Sequence, residues 1–193
     1  MLKILKEKTA ALHQEVERLN DAGLIMNHTI NVTAYKNLLL ENLCAYLTIE
    51  KYISDHTTLL PSDMQSFVSM KKSEALRKDL AQIRTESEVN VLTLTEIPSQ
   101  MQLIGMLYVI EGSMLGGMMI SKQLPHCNAL STINEHHFFG GDNKAHVARW
   151  KSFCAIIEAN KFTDKAINEA VKGAHTAFNI FKQAYYKAPV KVA

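Results

Sequence analysis

The residues best suited to chemistry are a histidine and a carboxylate one helical turn apart near the start of the chain, His13 and Glu17. At i and i+4 on a helix their side chains share a surface, so the carboxylate can hold one ring nitrogen and leave the other as a metal ligand. A histidine beside an apolar stripe can equally be a core-edge residue with a satisfied hydrogen bond. A second signal is a lack of side chains. In residues 103–124, LIGMLYVIEGSMLGGMMISKQL, a helical apolar pattern is interrupted by Gly105, Gly112, Gly116 and Gly117. Each glycine inside a helix costs about 1 kcal/mol relative to alanine. At about 100° per residue Gly105, Gly112 and Gly116 fall within a narrow arc, a strip where the backbone itself is the surface. Three occupants suit such a strip. One is a neighbouring helix in close approach, helped by the Gly112-x-x-x-Gly116 spacing. Another is lipid, since the segment is long enough for a core of roughly 30 Å, although Glu111 and Lys122 oppose it. The third is a planar cofactor whose face meets unshielded peptide groups.

The elements that position these residues read as helices. Leu2, Leu5, Thr9, Leu12, Val16 and Leu19 recur at three- and four-residue spacing, so residues 2–19 form an amphipathic helix with His13 beside its apolar face. Residues 21–29 read as a polar connection and 33–54 as a core helix. A short helix fits 62–70 and a further amphipathic one 73–84. Lys71, Lys72, Arg77 and Lys78, interleaved with Glu74 and Asp79, read as a solvated face. Residues 89–97 are rich in β-branched side chains, but with no partner strand elsewhere they read as an extended connection. Pro98 and Ser99 start the glycine-bearing helix. Phe138, Phe139, Gly140 and Gly141 mark a turn with aromatics folded inward. Asp142 or Asn143 caps a helix running to about residue 160 with Val147, Trp150, Phe153, Cys154 and Ile157 inward, and Thr163 caps the last. The tail 187–193 has little to bury and is expected to fray. The fold class is all-α, in one domain spanning 1–193.

Composition removes several functions. With 47% hydrophobic and 21% charged residues the chain is an ordinary globular protein, and a formal net charge of +2 gives no footprint for nucleic acid or an anionic membrane. Cys44, Cys127 and Cys154 are odd in number and far apart, which suits a reducing cytoplasm. His136 and His137 are adjacent and would point about 100° apart on a helix, which is awkward for joint chelation. No GxGxxG fingerprint for a flavin or nicotinamide is present.

Taken together, LKEKTAALHQEVE over residues 5–17 and LYVIEGSMLGG over 107–117 resemble the haem oxygenases, with the bacterial phytochrome-associated type most similar. The order of elements over nearly the whole chain agrees, and AHTAFNIF over 174–181 looks like the family's final helix. The resemblance implies an all-α fold holding haem, as cofactor and substrate, between a proximal and a distal helix. On it, His13 matches the iron ligand and Glu17 its partner, with Thr9 one turn earlier, and Lys6 matches a basic position that pairs with a propionate. Gly112, Gly116 and Gly117 match the distal glycines beside the haem face where dioxygen binds. Arg149, with Lys151, lies where a second propionate contact is expected, or is an exposed cation on an amphipathic helix. Ser113 departs from the pattern, since well-studied members have an aspartate there; serine can hold a water but does not ionise. The implied reaction takes haem, O2 and electrons from an external ferredoxin- or flavodoxin-like donor to biliverdin, carbon monoxide and ferrous iron, with biliverdin passing to a phytochrome. Its catalytic set is Gly112, Ser113 and Gly116. A haem carrier of the same fold that no longer degrades its ligand is the alternative; a thiamine-degrading relative using Cys44 lacks an identifiable base.

Overall fold

The computed structural model describes residues 1–86 and 88–186, among which there are helices and connections but no strand. The order is α1 (Leu2–Leu19), α2 (Ala22–Met26), α3 (Val32–Asp55), α4 (Ser62–Gln65), α5 (Lys71–Gln82), α6 (Gln100–Gln123), α7 (His137–Gly140), α8 (Asn143–Ala159) and α9 (Asp164–Tyr186). The all-α expectation holds. The fraying expected of residues 187–193 lies outside the described residues.

Helix ends fall where side chains satisfy the free backbone N–H groups. Ser99 accepts from the Gln102 N–H at 3.3 Å while the Gln102 side chain accepts from the Ser99 N–H at 2.8 Å, a reciprocal cap that starts α6. Asp142 caps α8 through the N–H groups of Lys144 and Ala145, and Thr163 caps α9 through that of Ala166. Two other starts are capped from a distance. Glu50 of α3 accepts from the Lys72 and Ser73 N–H groups at 3.1 and 3.0 Å, and Asp79 of α5 accepts from those of His137 and Phe138 at 2.6 and 2.9 Å. The solvated face expected on α5 holds for the exposed Lys71, Glu74, Arg77 and Lys78 and is corrected at Lys72 and Asp79, which are buried. Local charge alternation could not show that another helix needs these groups.

The connection expected over residues 21–29 contains α2, because Ile25 is fully buried and anchors one short turn against the core. Residues 89–97 form neither helix nor strand, as expected of a connection, and three α3 side chains one turn apart hold them. Cys44 donates to the Asn90 carbonyl at 3.1 Å, Thr48 accepts from the Leu92 N–H at 3.1 Å, and Tyr52 donates to the Glu96 carbonyl at 2.6 Å. Helix side chains take the place of a partner strand.

Helix α9 is the floor of the molecule, with both α1 and α6 packed along it. Helix α6 is long and apolar enough to cross a membrane by length and composition, yet residues Leu103–Leu107 and Val109–Glu111 are buried among the other helices. The glycine strip divides at this crossing. A Cβ on Gly105 would overlap the Ala170 carbonyl of α9, and one on Gly173 of α9 would overlap the Gln102 carbonyl of α6. Gly105 therefore serves close helix packing, the first of the three occupants, and is separate from the remaining glycines.

Candidate functional site

Although α1 and α6 both lie on α9, they make few direct contacts with each other. Tyr108 of α6 lies beside Thr9 of α1, whose hydroxyl donates to the Leu5 carbonyl at 2.8 Å. His13 and Gly112 each lie one turn further along their helices from that pair. Helix α8 touches both. Thr9, expected one turn before His13 at the cofactor site, is 3% exposed with its hydroxyl donated to Leu5.

His13 has the exposure that a ligand residue needs, its side chain being 55% accessible. Its Nδ1 lies 3.4 Å from a Glu17 carboxylate oxygen, and its ring meets Phe178 of α9 edge to face at 5.7 Å. The two contacts restrict ring rotation and leave Nε2 as the nitrogen available to a ligand. Lys6, two turns earlier, is exposed and makes no ion pair among the described residues.

On α6 the glycines differ by position. A Cβ on Gly116 would meet nothing within 4 Å, one on Gly117 would reach Phe139 at 4.0 Å, and one on Gly112 would lie 3.5 Å from the Trp150 indole of α8. Gly116 is thus the centre of the open backbone face. Ser113 donates to the Ile110 carbonyl at 2.6 Å and accepts from the Tyr46 hydroxyl at 2.9 Å. Its second lone pair is left to accept a third hydrogen bond. Burial pushes the Tyr46 phenol far above its ordinary value, against the smaller lowering by Ser113, so Tyr46 stays a neutral donor.

Arg149, expected as a propionate contact or an exposed cation, is engaged within the protein. Its guanidinium grips Glu111 at 2.7 and 3.2 Å and donates to the Phe67 and Ser66 carbonyls at 2.9 and 3.3 Å. Glu111 is buried on α6 and also faces Lys72 at 3.6 Å. Burial lowers the Lys72 pKa, a tendency that Glu111 and Glu50 oppose. A buried carboxylate needs such partners, and with most of its donors engaged Arg149 holds α8 to α6. Lys151 is exposed.

Sequence reasoning missed Tyr46 as a site residue. It looked like one more apolar position of a core helix, and only the packing of α3 on α6 brings it to Ser113. Trp150 was placed among inward residues, but its seat over Gly112 had no signal in the spacing.

An exposed imidazole with a restrained ring, an uncovered backbone strip and a lysine without an ion pair among the described residues are a donor set and a flat surface that could hold haem. The comparisons agree. The family model described as Heme oxygenase matches residues 1–186, and the chain belongs to this family of haem-degrading oxidoreductases, which bind haem as both substrate and prosthetic group. A relative named Heme oxygenase from Xanthomonas campestris pv. campestris is 29% identical over 153 residues, 79% of this chain and 88% of that protein. The heme oxygenase from Neisseria meningitidis, solved with NO and CO bound, shares the fold at a TM-score of 0.69, with 22% identity over 97% of this chain and 93% of that one. The family further implies O2 as a ligand and a reductase as partner.

Proposed function

We propose that this chain, acting as one domain in the cytoplasm, opens haem to biliverdin, carbon monoxide and ferrous iron with O2 and electrons from a ferredoxin- or flavodoxin-like donor. The observation that carries the reading is the pairing of an exposed, Glu17-oriented His13 on α1 with the uncovered Gly116 face on α6, both helices being packed on α9. Haem, when bound, supplies the iron and the redox chemistry. The protein's contribution is placement and proton handling.

His13 Nε2 is the iron ligand in this reading, Glu17 fixes the ring, and Lys6 meets a propionate. Gly112, Gly116 and Gly117 let the flat ring and a small ligand approach peptide groups without a Cβ between. Ser113 gives its proton to Ile110 and one lone pair to Tyr46, so toward the cleft it is an acceptor. A water donating to Ser113 Oγ is therefore oriented by the serine, and the protons for the reaction come from water and not from an ionising side chain. Biliverdin made this way would suit supply to a phytochrome. The same commitment of the Ser113 proton favours a second reading, a haem carrier without turnover.

The test is the haem complex in air with a ferredoxin donor, and separately with ascorbate, catalase being present to remove free peroxide. The expected result is loss of the haem spectrum with biliverdin and carbon monoxide in equal amounts. A stable haem complex under both donors would replace the oxygenase reading by the carrier reading.

A further inference from the structure

Away from the cleft, the structure joins two histidines distant in sequence, at the turn after α2 and at the end of α6. The ring centroids of His28 and His126 lie 5.4 Å apart with a 52° tilt. A metal ion at ~2.0–2.1 Å from a ring nitrogen lies roughly 3.2 Å from that ring's centroid. With one nitrogen of each ring turned to a shared ion, centroids at the observed spacing would subtend about 115° there, near the tetrahedral angle. His136 and His137, the adjacent pair in the sequence, have no such geometry: His136 hydrogen bonds Tyr35 at 2.6 Å and His137 pairs with Glu135 at 3.1 Å.

The orientation of His28 adds a second observation. Its backbone is left-handed, φ 58, where the chain leaves α2, and its Nε2 lies 2.9 Å from the side-chain oxygen of Gln123. An amide oxygen accepts and cannot donate, so it selects the tautomer with the proton on Nε2 and leaves the Nδ1 lone pair free. Metal-ligating histidines are typically held this way, with the other ring nitrogen donating to a carbonyl or carboxylate. His126 is exposed and makes no hydrogen bond among the described residues. Cys127, the next residue, points inward, its thiol donating toward the Ile25 and Gln123 carbonyls at 3.6 Å, so it is no ligand in this arrangement.

We propose that His28 and His126 form a surface site for one divalent transition-metal ion of the zinc, nickel or cobalt type, completed by water and oriented by Gln123. Imidazole nitrogens suit these ions, and the site would pin the α2–α3 turn to the end of α6. It is independent of the haem cleft.

Calorimetric titration of the full chain with Zn2+, and with Co2+ read by its visible absorption, tests the site. One ion per chain is expected, with a tetrahedral cobalt spectrum and no thiolate charge-transfer band. His126→Ala and His28→Asn should each abolish binding, asparagine being chosen because it tolerates the left-handed backbone. Gln123→Ala should weaken binding about tenfold, as losses of such orienting partners do. His13→Ala should leave it unchanged. Absence of binding to the wild type, binding that survives in the His28→Asn/His126→Ala double variant, or loss of binding in His13→Ala would each overturn the proposal.

Discussion

The two halves of α6 use the same residue on the same face for different purposes. In the first half Gly105 lies under the backbone of α9, where a single added methyl would overlap the Ala170 carbonyl. In the second half Gly116 looks into open space. A missing side chain permits an approach without naming what approaches, and only the position of α9 separates packing from binding.

Substitution in the packed half should have the largest effect. Gly105→Ala forces α6 and α9 apart, and overpacking against backbone should cost about 3 kcal/mol or more despite the better helix former. Urea denaturation should show a lower midpoint or no folded baseline. A wild-type midpoint would erase the contrast between the halves.

In the open half the same class of change should separate folding from binding. Gly116→Leu adds a side chain to empty space and improves helix propensity by about 1 kcal/mol, so the unfolding midpoint should stay level or rise. Haem affinity should fall at least tenfold. An unfolded protein whose remaining folded fraction binds haem normally would return Gly116 to helix packing.

A smaller effect is expected at the hydroxyl pair beside the open half. Tyr46→Phe removes the hydrogen bond to Ser113, worth about 1 kcal/mol, so single-turnover rates should fall about fivefold with haem affinity unchanged. Ser113→Ala should also slow turnover only modestly, because backbone carbonyls can still hold the water. A complete block in Ser113→Ala would mean that the serine is itself the proton donor.

The smallest effect lies outside both halves and calibrates them. Burial, with Asp21 adding to it, pushes the Glu41 carboxyl from 4.5 up to about 7. The folded state holds this proton more tightly than the unfolded chain, so the group's contribution to stability is greatest below pH 4.5 and declines as pH rises to about 7. Glu41→Gln should flatten the dependence of Tm on pH across that window and raise Tm by a few degrees at pH 8. Parallel pH curves for the two proteins would contradict the shift.

Legibility in the sequence followed the range of the interactions. The first helix was readable to the residue, because Leu2 to Leu19 is defined by its own periodicity. So were the caps at Ser99, Asp142 and Thr163, whose partners lie within three residues. What depended on distant neighbours was not readable. Lys72 and Asp79 looked solvated until Glu111 and α7 were placed beside them, and Arg149 looked free until it was seen to hold Glu111. In the candidate site, His13, Glu17 and the glycines of α6 stand out as types at helical spacing, whereas Tyr46 and Trp150 enter through packing.

The claim that the open half of α6 and His13 hold haem between them is tested most directly by titrating hemin into the wild type and His13→Ala and following the ferric Soret band. One haem per chain should bind the wild type with a histidine-ligated spectrum. In His13→Ala that spectrum should be lost and be restored by added imidazole, with the apo-protein's Tm unchanged because His13 is exposed. An identical spectrum and affinity in His13→Ala would contradict the assignment.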